Sequence, residues 1–156
     1  MIYRIIFSFT LIASLFSLAN RVIASEDDLS EEKADHGKLI VDIEGFKKEL
    51  GNVVVKLYRE QDDAPKGDGY LSIVEPLSKR SAQVAFEGLA FGEYAIFVFH
   101  DKNGNKDLDH NMFKIPSEPM GFSGGFKLSL FSGVPRYEEL KFSFSVDSQH
   151  VNIKVK

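Results

Sequence analysis

Apolar and polar residues alternate with a period of two over most of the chain after Lys38. Leu39, Val41 and Ile43 share one face, with Asp42 and Glu44 opposite. Val53, Val55 and Leu57 alternate with Lys56 and Tyr58, and Ala82, Val84 and Phe86 with Gln83 and Glu87. Leu140, Phe142, Phe144 and Val146 alternate with Lys141, Ser143, Ser145 and Asp147. Val151, Ile153 and Val155 do so with Asn152, Lys154 and Lys156. This is the mark of strands with one buried face. Tyr94 to Phe99 is apolar on both faces, as in a central strand covered on each side. A further short strand is predicted near Tyr70–Val74, and Ser148-Gln149-His150 is predicted to be a tight hairpin link between the last two runs. No 3.6-residue stripe is present, and Phe46–Leu50 has room for one turn. The pattern predicts an all-β domain, a single antiparallel β-sandwich of six or seven short strands, with a small barrel as the alternative.

Two segments break the alternation. Glu60–Gly69 is an acidic turn region. The longer one, 101–137, holds Pro116, Pro119 and Pro135 together with many apolar residues, including Met112, Phe113, Ile115, Met120, Phe122, Phe126, Leu128, Leu130 and Phe131. A connection of this length in a compact domain is usually functional or disordered. Its apolar content predicts a folded excursion packed against the sandwich.

The amino-terminal segment has a different character. Arg4 precedes an uncharged apolar run from Ile5 to Leu18, and Val22-Ile23-Ala24 places compact residues where a signal peptidase cuts. The run is short for a bilayer span of about 20 residues. A secretory signal over 1–24 is expected, with Ser17-Leu18-Ala19 as a second cleavage site, and no stable membrane span after cleavage. Residues 25–37 then form an acidic flexible leader, and 38–156 the domain. Cleavage removes Arg4 and Arg21 and no acid, so the mature chain carries 17 basic and 23 acidic side chains. That balance makes nucleic acid a poor partner. With no cysteine there is no disulfide, thiolate metal site or catalytic thiol. An exported protein without cysteine fits a bacterial envelope, periplasmic or secreted.

The sharpest local signal follows the central strand. In Asp101-Lys-Asn103-Gly-Asn105-Lys-Asp107-Leu-Asp109-His-Asn111, oxygen-bearing side chains recur at every second position. Ca²⁺ takes six to eight oxygens, and such a loop can wrap them round one ion. Asp101, Asn103 and Asn105 match the first three ligand places of an EF-hand loop. Asp107 matches the place that gives a main-chain carbonyl, and Asp109 the water-bridged place. The sixth place, where glycine is wanted, is Lys106, and the twelfth, where a bidentate Glu is wanted, is Met112. A ligand from elsewhere is therefore required, with Glu118, Asp62, Asp63 and Asp68 as candidates, and binding is expected to be weak. The competing reading needs no ion, since Asn-Gly and Asx turns organise such loops unaided.

Other chemistry is thinner. His100 and His110 bracket the loop but lack companions for a zinc site. Ser123, His100 and Asp101 form a catalytic set only on paper, without a nucleophile elbow. A hydrolase site near His100 and Glu138 is the remaining enzymatic alternative. The expectation is a non-enzymatic protein, with Ca²⁺ its one candidate cofactor and a protein or glycan its partner.

Several phrases together resemble a known family: Lys38–Gly45, Val53–Tyr58, Phe86–Leu89, Gly92–Asp101, Asn103–Asp109, Ile115-Pro116, Gly121-Phe122-Ser123 and Gly133–Glu138. The chain resembles the bacterial domain-of-unknown-function family numbered 2141 over about residues 38–155. The resemblance implies an exported β-sandwich similar to transthyretin-like and carboxypeptidase-regulatory-like domains, and it implies no activity. The family's loop usually has Gly where this chain has Lys106, and Pro or a small residue where it has Val134. The first departure weakens an ion site in this chain.

Overall fold

The computed structural model describes residues 35–129 and 132–156. The expected signal and most of the leader lie outside the described residues, as do Leu130 and Phe131. The chain is all-β, in two sheets. Strand β1 spans His36–Glu44, β2 Asn52–Tyr58, β3 Leu71–Pro76, β4 Ser81–Ala90, β5 Gly92–Asp101, β6 Met120–Phe122, β7 Phe142–Phe144 and β8 Ser148–Lys154. One sheet runs β4-β1-β8, the other β3-β2-β5-β6, with β7 also on β5. Among the described residues no helix is long and apolar enough to cross a membrane.

The inward residues of both sheets form one core. Leu39, Val41 and Ile43 of β1 meet Val53, Val55 and Leu57 of β2 and Ile96 and Val98 of β5, all buried. Each row comes from the period-two pattern, because alternate side chains of a strand leave the same face. A second core covers the other face of the β2–β5 sheet. There Val54, Phe97 and Phe99 pack with Phe122, Tyr137 and Leu140. Phe97 stacks on Phe122 with ring centroids 5.1 Å apart. Every residue from Tyr94 to Asp101 is buried, as the doubly apolar run requires. The excursion supplies much of this cover.

The carboxy-terminal region departs from expectation. Tyr137–Leu140 forms a short helix, α1, where Leu140 was expected to begin a strand. The Glu139 carboxylate accepts the Arg136 N–H (2.9 Å), satisfying a donor at the helix start. The Ser148-Gln149-His150 hairpin link is also overturned. Those residues open β8, which lies parallel to β1 and does not pair with β7. β7 pairs with β5 in the other sheet, so the chain crosses between sheets at Ser145–Asp147. The sheets are therefore mostly, not wholly, antiparallel.

Buried Ser123 ties these parts together. Its Oγ accepts the Ile96 N–H (2.8 Å) and donates to the Leu140 carbonyl (2.6 Å).

On the outer face of the β4-β1-β8 sheet, Asp42 accepts hydrogen bonds from Gln83 Nε2 and His150 Nδ1, both at 2.6 Å. The Gln83 amide first, and His150 second, hold the Asp42 carboxyl below its usual range. A carboxylate with a depressed folded pKa stabilises the fold above its unfolded value and loses that contribution as pH falls through the folded one. The stability gap between the native chain and Asp42→Asn should therefore be widest above pH ~4 and shrink below it. Urea unfolding at pH 5.5 and 2.5 checks this; an equal gap at both pH values contradicts it.

Candidate functional site

β5 ends at Asp101, which lies opposite Asn52 of β2. Gly51 beside it has φ +87°, and a Cβ there would come within 2.3 Å of the Asp101 carbonyl oxygen. Asp101 is fully buried, and its carboxylate turns the chain. Oδ1 accepts the N–H of Gly104 (2.7 Å) and Asn105 (3.2 Å); Oδ2 accepts the N–H of Lys106 (3.0 Å) and, at 3.4 Å, the Asn52 amide. A carboxylate taking several main-chain donors is a strong local organiser, since each bond is charge-assisted.

Two Asx turns continue the loop. Asn103 Oδ1 accepts the Asn105 N–H (3.1 Å), and Asn105 Oδ1 accepts the Asp107 N–H (2.9 Å). This fixes the amides, because a flipped Asn would set an NH₂ against a main-chain donor. Both amide nitrogens consequently donate to Asp109, Asn103 at 2.7 Å and Asn105 at 3.1 Å. Asp107 is exposed.

Of the four outside candidates, Glu118 reaches the loop. Its carboxylate is buried and accepts the N–H of Lys102 (2.7 Å) and Asp109 (3.2 Å), closing the loop at both ends. Asp62, Asp63 and Asp68 follow Tyr58, at the end of β2 away from Asn52, roughly 20 Å off along the strand. There Asp62 accepts the Arg59 N–H (2.8 Å), and Arg59 lies over the Tyr70 ring. The Arg59 side-chain hydrogen bond holds the Asp62 carboxyl below its usual range. Burial, with Asp68 and Asp62 adding repulsion, pushes the Tyr58 phenol well up.

The structure brings together Asp101, Asn103, Asn105, Asp109 and Glu118. It does not bring together the enzymatic candidates. His100 is buried, with Nε2 2.7 Å from the Leu50 carbonyl and its ring edge-on to Phe46. Glu138 is exposed and pairs with Lys141 at 3.0 Å. Its neighbour Tyr137 donates to the Glu93 carbonyl, near the start of β5 and roughly 23 Å along the strand from His100. Ser123 faces Leu140 and Ile96, away from His100. Among the described residues no group of three or more His, Asp or Glu side chains is placed to hold a metal ion. A Ca²⁺ shell in this loop would need amide and main-chain oxygens.

Beyond the loop lies a feature the sequence did not reveal. Asn111 Oδ1 accepts the N–H of Phe113 (2.9 Å) and Ile115 (3.1 Å), and its own N–H bonds the Ile115 carbonyl (2.9 Å). His110 bridges to Pro116 at the neck. The resulting hairpin tip displays Met112 (89% exposed), Phe113 (75%) and Ile115 (52%). These residues were expected to join the core; the Asn111 turn holds them out instead.

The profile of a family described as an uncharacterized protein conserved in bacteria, DUF2141, matches residues 41–153. The chain belongs to the DUF2141 family. No curated protein and no solved structure matches it. The DUF2141 match covers both sheets, the Asp101 loop and the hairpin tip.

Asp101→Ala should cost this DUF2141 domain about 3 kcal/mol, as expected for hydrogen bonds to a charged acceptor, and Asp101→Asn about half that. Lys106 holds φ +67°, a left-handed conformation. Lys106→Gly should gain about 0.5–1 kcal/mol by relieving it, after the extra chain entropy of glycine. Urea midpoints at constant slope check all three; a neutral Asp101→Ala contradicts the role assigned to that carboxylate.

Proposed function

We propose that this chain is an exported, non-catalytic binding domain, a β-sandwich of transthyretin-like type, that presents the 110–116 hairpin to a partner protein. The observation that carries this reading is the Asn111-clamped tip with Met112, Phe113 and Ile115 in solvent. Exposed large apolar side chains clustered on an ordered turn mark interaction sites. A protein pocket suits them better than a glycan, whose hydroxyls would want polar partners. The Asp101 loop is the stiff base of this tip. Its carboxylates are met by main-chain N–H groups and by the Asn103 and Asn105 amides, so it holds its shape without an ion. Export rests on the signal-like segment Met1–Ala24; protein found in the cytoplasmic fraction, still carrying those residues in an intact-mass spectrum, contradicts it.

A photo-crosslinking residue at Phe113, introduced in the native cell, should capture one protein of discrete mass. Met112→Ser with Ile115→Ser should abolish that adduct without changing the melting temperature. Absence of any discrete adduct contradicts the reading.

One observation favours a second reading, in which Ca²⁺ occupies the loop. Buried Glu118 arrives from outside the 101–111 segment and closes it, as a ligand from elsewhere would. Asp101, Asn103, Asn105, the Asp107 carbonyl and Asp109 would complete the shell once the carboxylates leave their main-chain donors and the amides turn. Affinity would fall near 10⁻⁴–10⁻³ M, given the few carboxylates. Melting in 5 mM Ca²⁺ and in EDTA separates the readings. An unchanged midpoint supports the ion-free loop, and a rise of several degrees supports the ion.

A further inference from the structure

A groove of about 330 Å³ lies where β6 meets the end of β8. That volume is at the lower end for small-molecule sites. Its floor is apolar: Met120, Phe122, Phe126 and Leu128. The floor is fixed, because Phe122 stacks on Phe97 and takes the edge of Phe126 at 5.6 Å. Main-chain bonds between Met120 and Lys156, at 3.0 and 3.1 Å, hold β6 to the strand beyond β8.

The rim is basic. Lys127, Lys154 and Lys156 line it together with Asn152, and no Asp or Glu side chain is among the described lining residues. Lys154 and Lys156 are two apart on an extended chain, so they share a face about 7 Å apart. Lys154 has Glu44 at 3.5 Å. Lys127 and Lys156 make no ion pair among the described residues. An apolar trough edged by ammonium groups is complementary to one class of molecule, an apolar body with an anionic head. The small volume selects a medium chain over a long one.

We propose that this groove binds a free amphipathic carboxylate of the medium-chain fatty-acid type, the chain on Phe122 and Phe126 and the carboxylate between Lys127, Lys154 and Lys156. It stands independently of the hairpin reading, since it shares no residue with the tip.

Decanoate and decanol, each below its aggregation limit, are titrated into the full mature chain by calorimetry. Decanoate should bind with at least tenfold preference over decanol, and its affinity should fall as salt rises. Lys127→Gln and Lys156→Gln should each weaken it about fivefold, in line with exposed charge pairs, with no change in melting temperature. Amide shifts on titration should centre on Met120 and Phe122. Met112→Ser with Phe113→Ser should leave binding intact. No binding at millimolar decanoate, equal affinity for decanol, or loss of binding in the hairpin variant would each overturn the proposal.

Discussion

Strand β5 is apolar on both faces, and the whole molecule is arranged to keep both faces dry. One face meets the β4-β1-β8 sheet through Ile96 and Val98. The other exposes Phe97 and Phe99, which no strand of that sheet can reach. A chain with period-two alternation covers one face only, so the second cover must come from elsewhere. It comes from 102–140, which leaves β5 at Asp101 and returns as β6, Phe126, Tyr137 and Leu140. Asp101 is the hinge of this arrangement. If its carboxylate did not turn the chain through three main-chain N–H groups, β6 would not lie back along β5.

The same turn explains where function can reside. The loop's polar groups satisfy one another, and a loop hydrogen-bonded in this way can hold apolar side chains out in water against their tendency to collapse. Asn111 completes the effect by clamping the hairpin that carries Met112, Phe113 and Ile115. The fatty-acid groove has a separate origin. It forms at the seam where β6, the edge of one sheet, meets the strand that continues β8 from the other.

Strands β1, β2, β4 and β5 were legible, because burial of one or both faces writes directly into alternation. Their partners were not. Val151, Ile153 and Val155 say that β8 has a buried face, and nothing about pairing in parallel with β1. The Leu140–Val146 run alternates too, yet its first residue closes a helical turn, because Leu140 serves the second core while Phe144 serves the first. The loop residues were legible as an oxygen-rich set. Whether those oxygens face a cation or main-chain donors depends on Asx-turn geometry, which spacing does not encode. Glu118 was one of four outside candidates, and only the return path of the chain singled it out. The exposed tip was hidden, since Met112 and Phe113 look like core residues until Asn111 is seen to hold them outward.

We propose that the Asp101 and Glu118 carboxylates organise the loop through main-chain N–H groups, with no ion required. Amide hydrogen exchange in EDTA tests this residue by residue. The amides of Lys102, Gly104, Asn105 and Lys106 should exchange slowly in chelator, and adding Ca²⁺ should leave their rates unchanged. Free-peptide exchange at these amides in EDTA, with protection appearing only when Ca²⁺ is added, would contradict it.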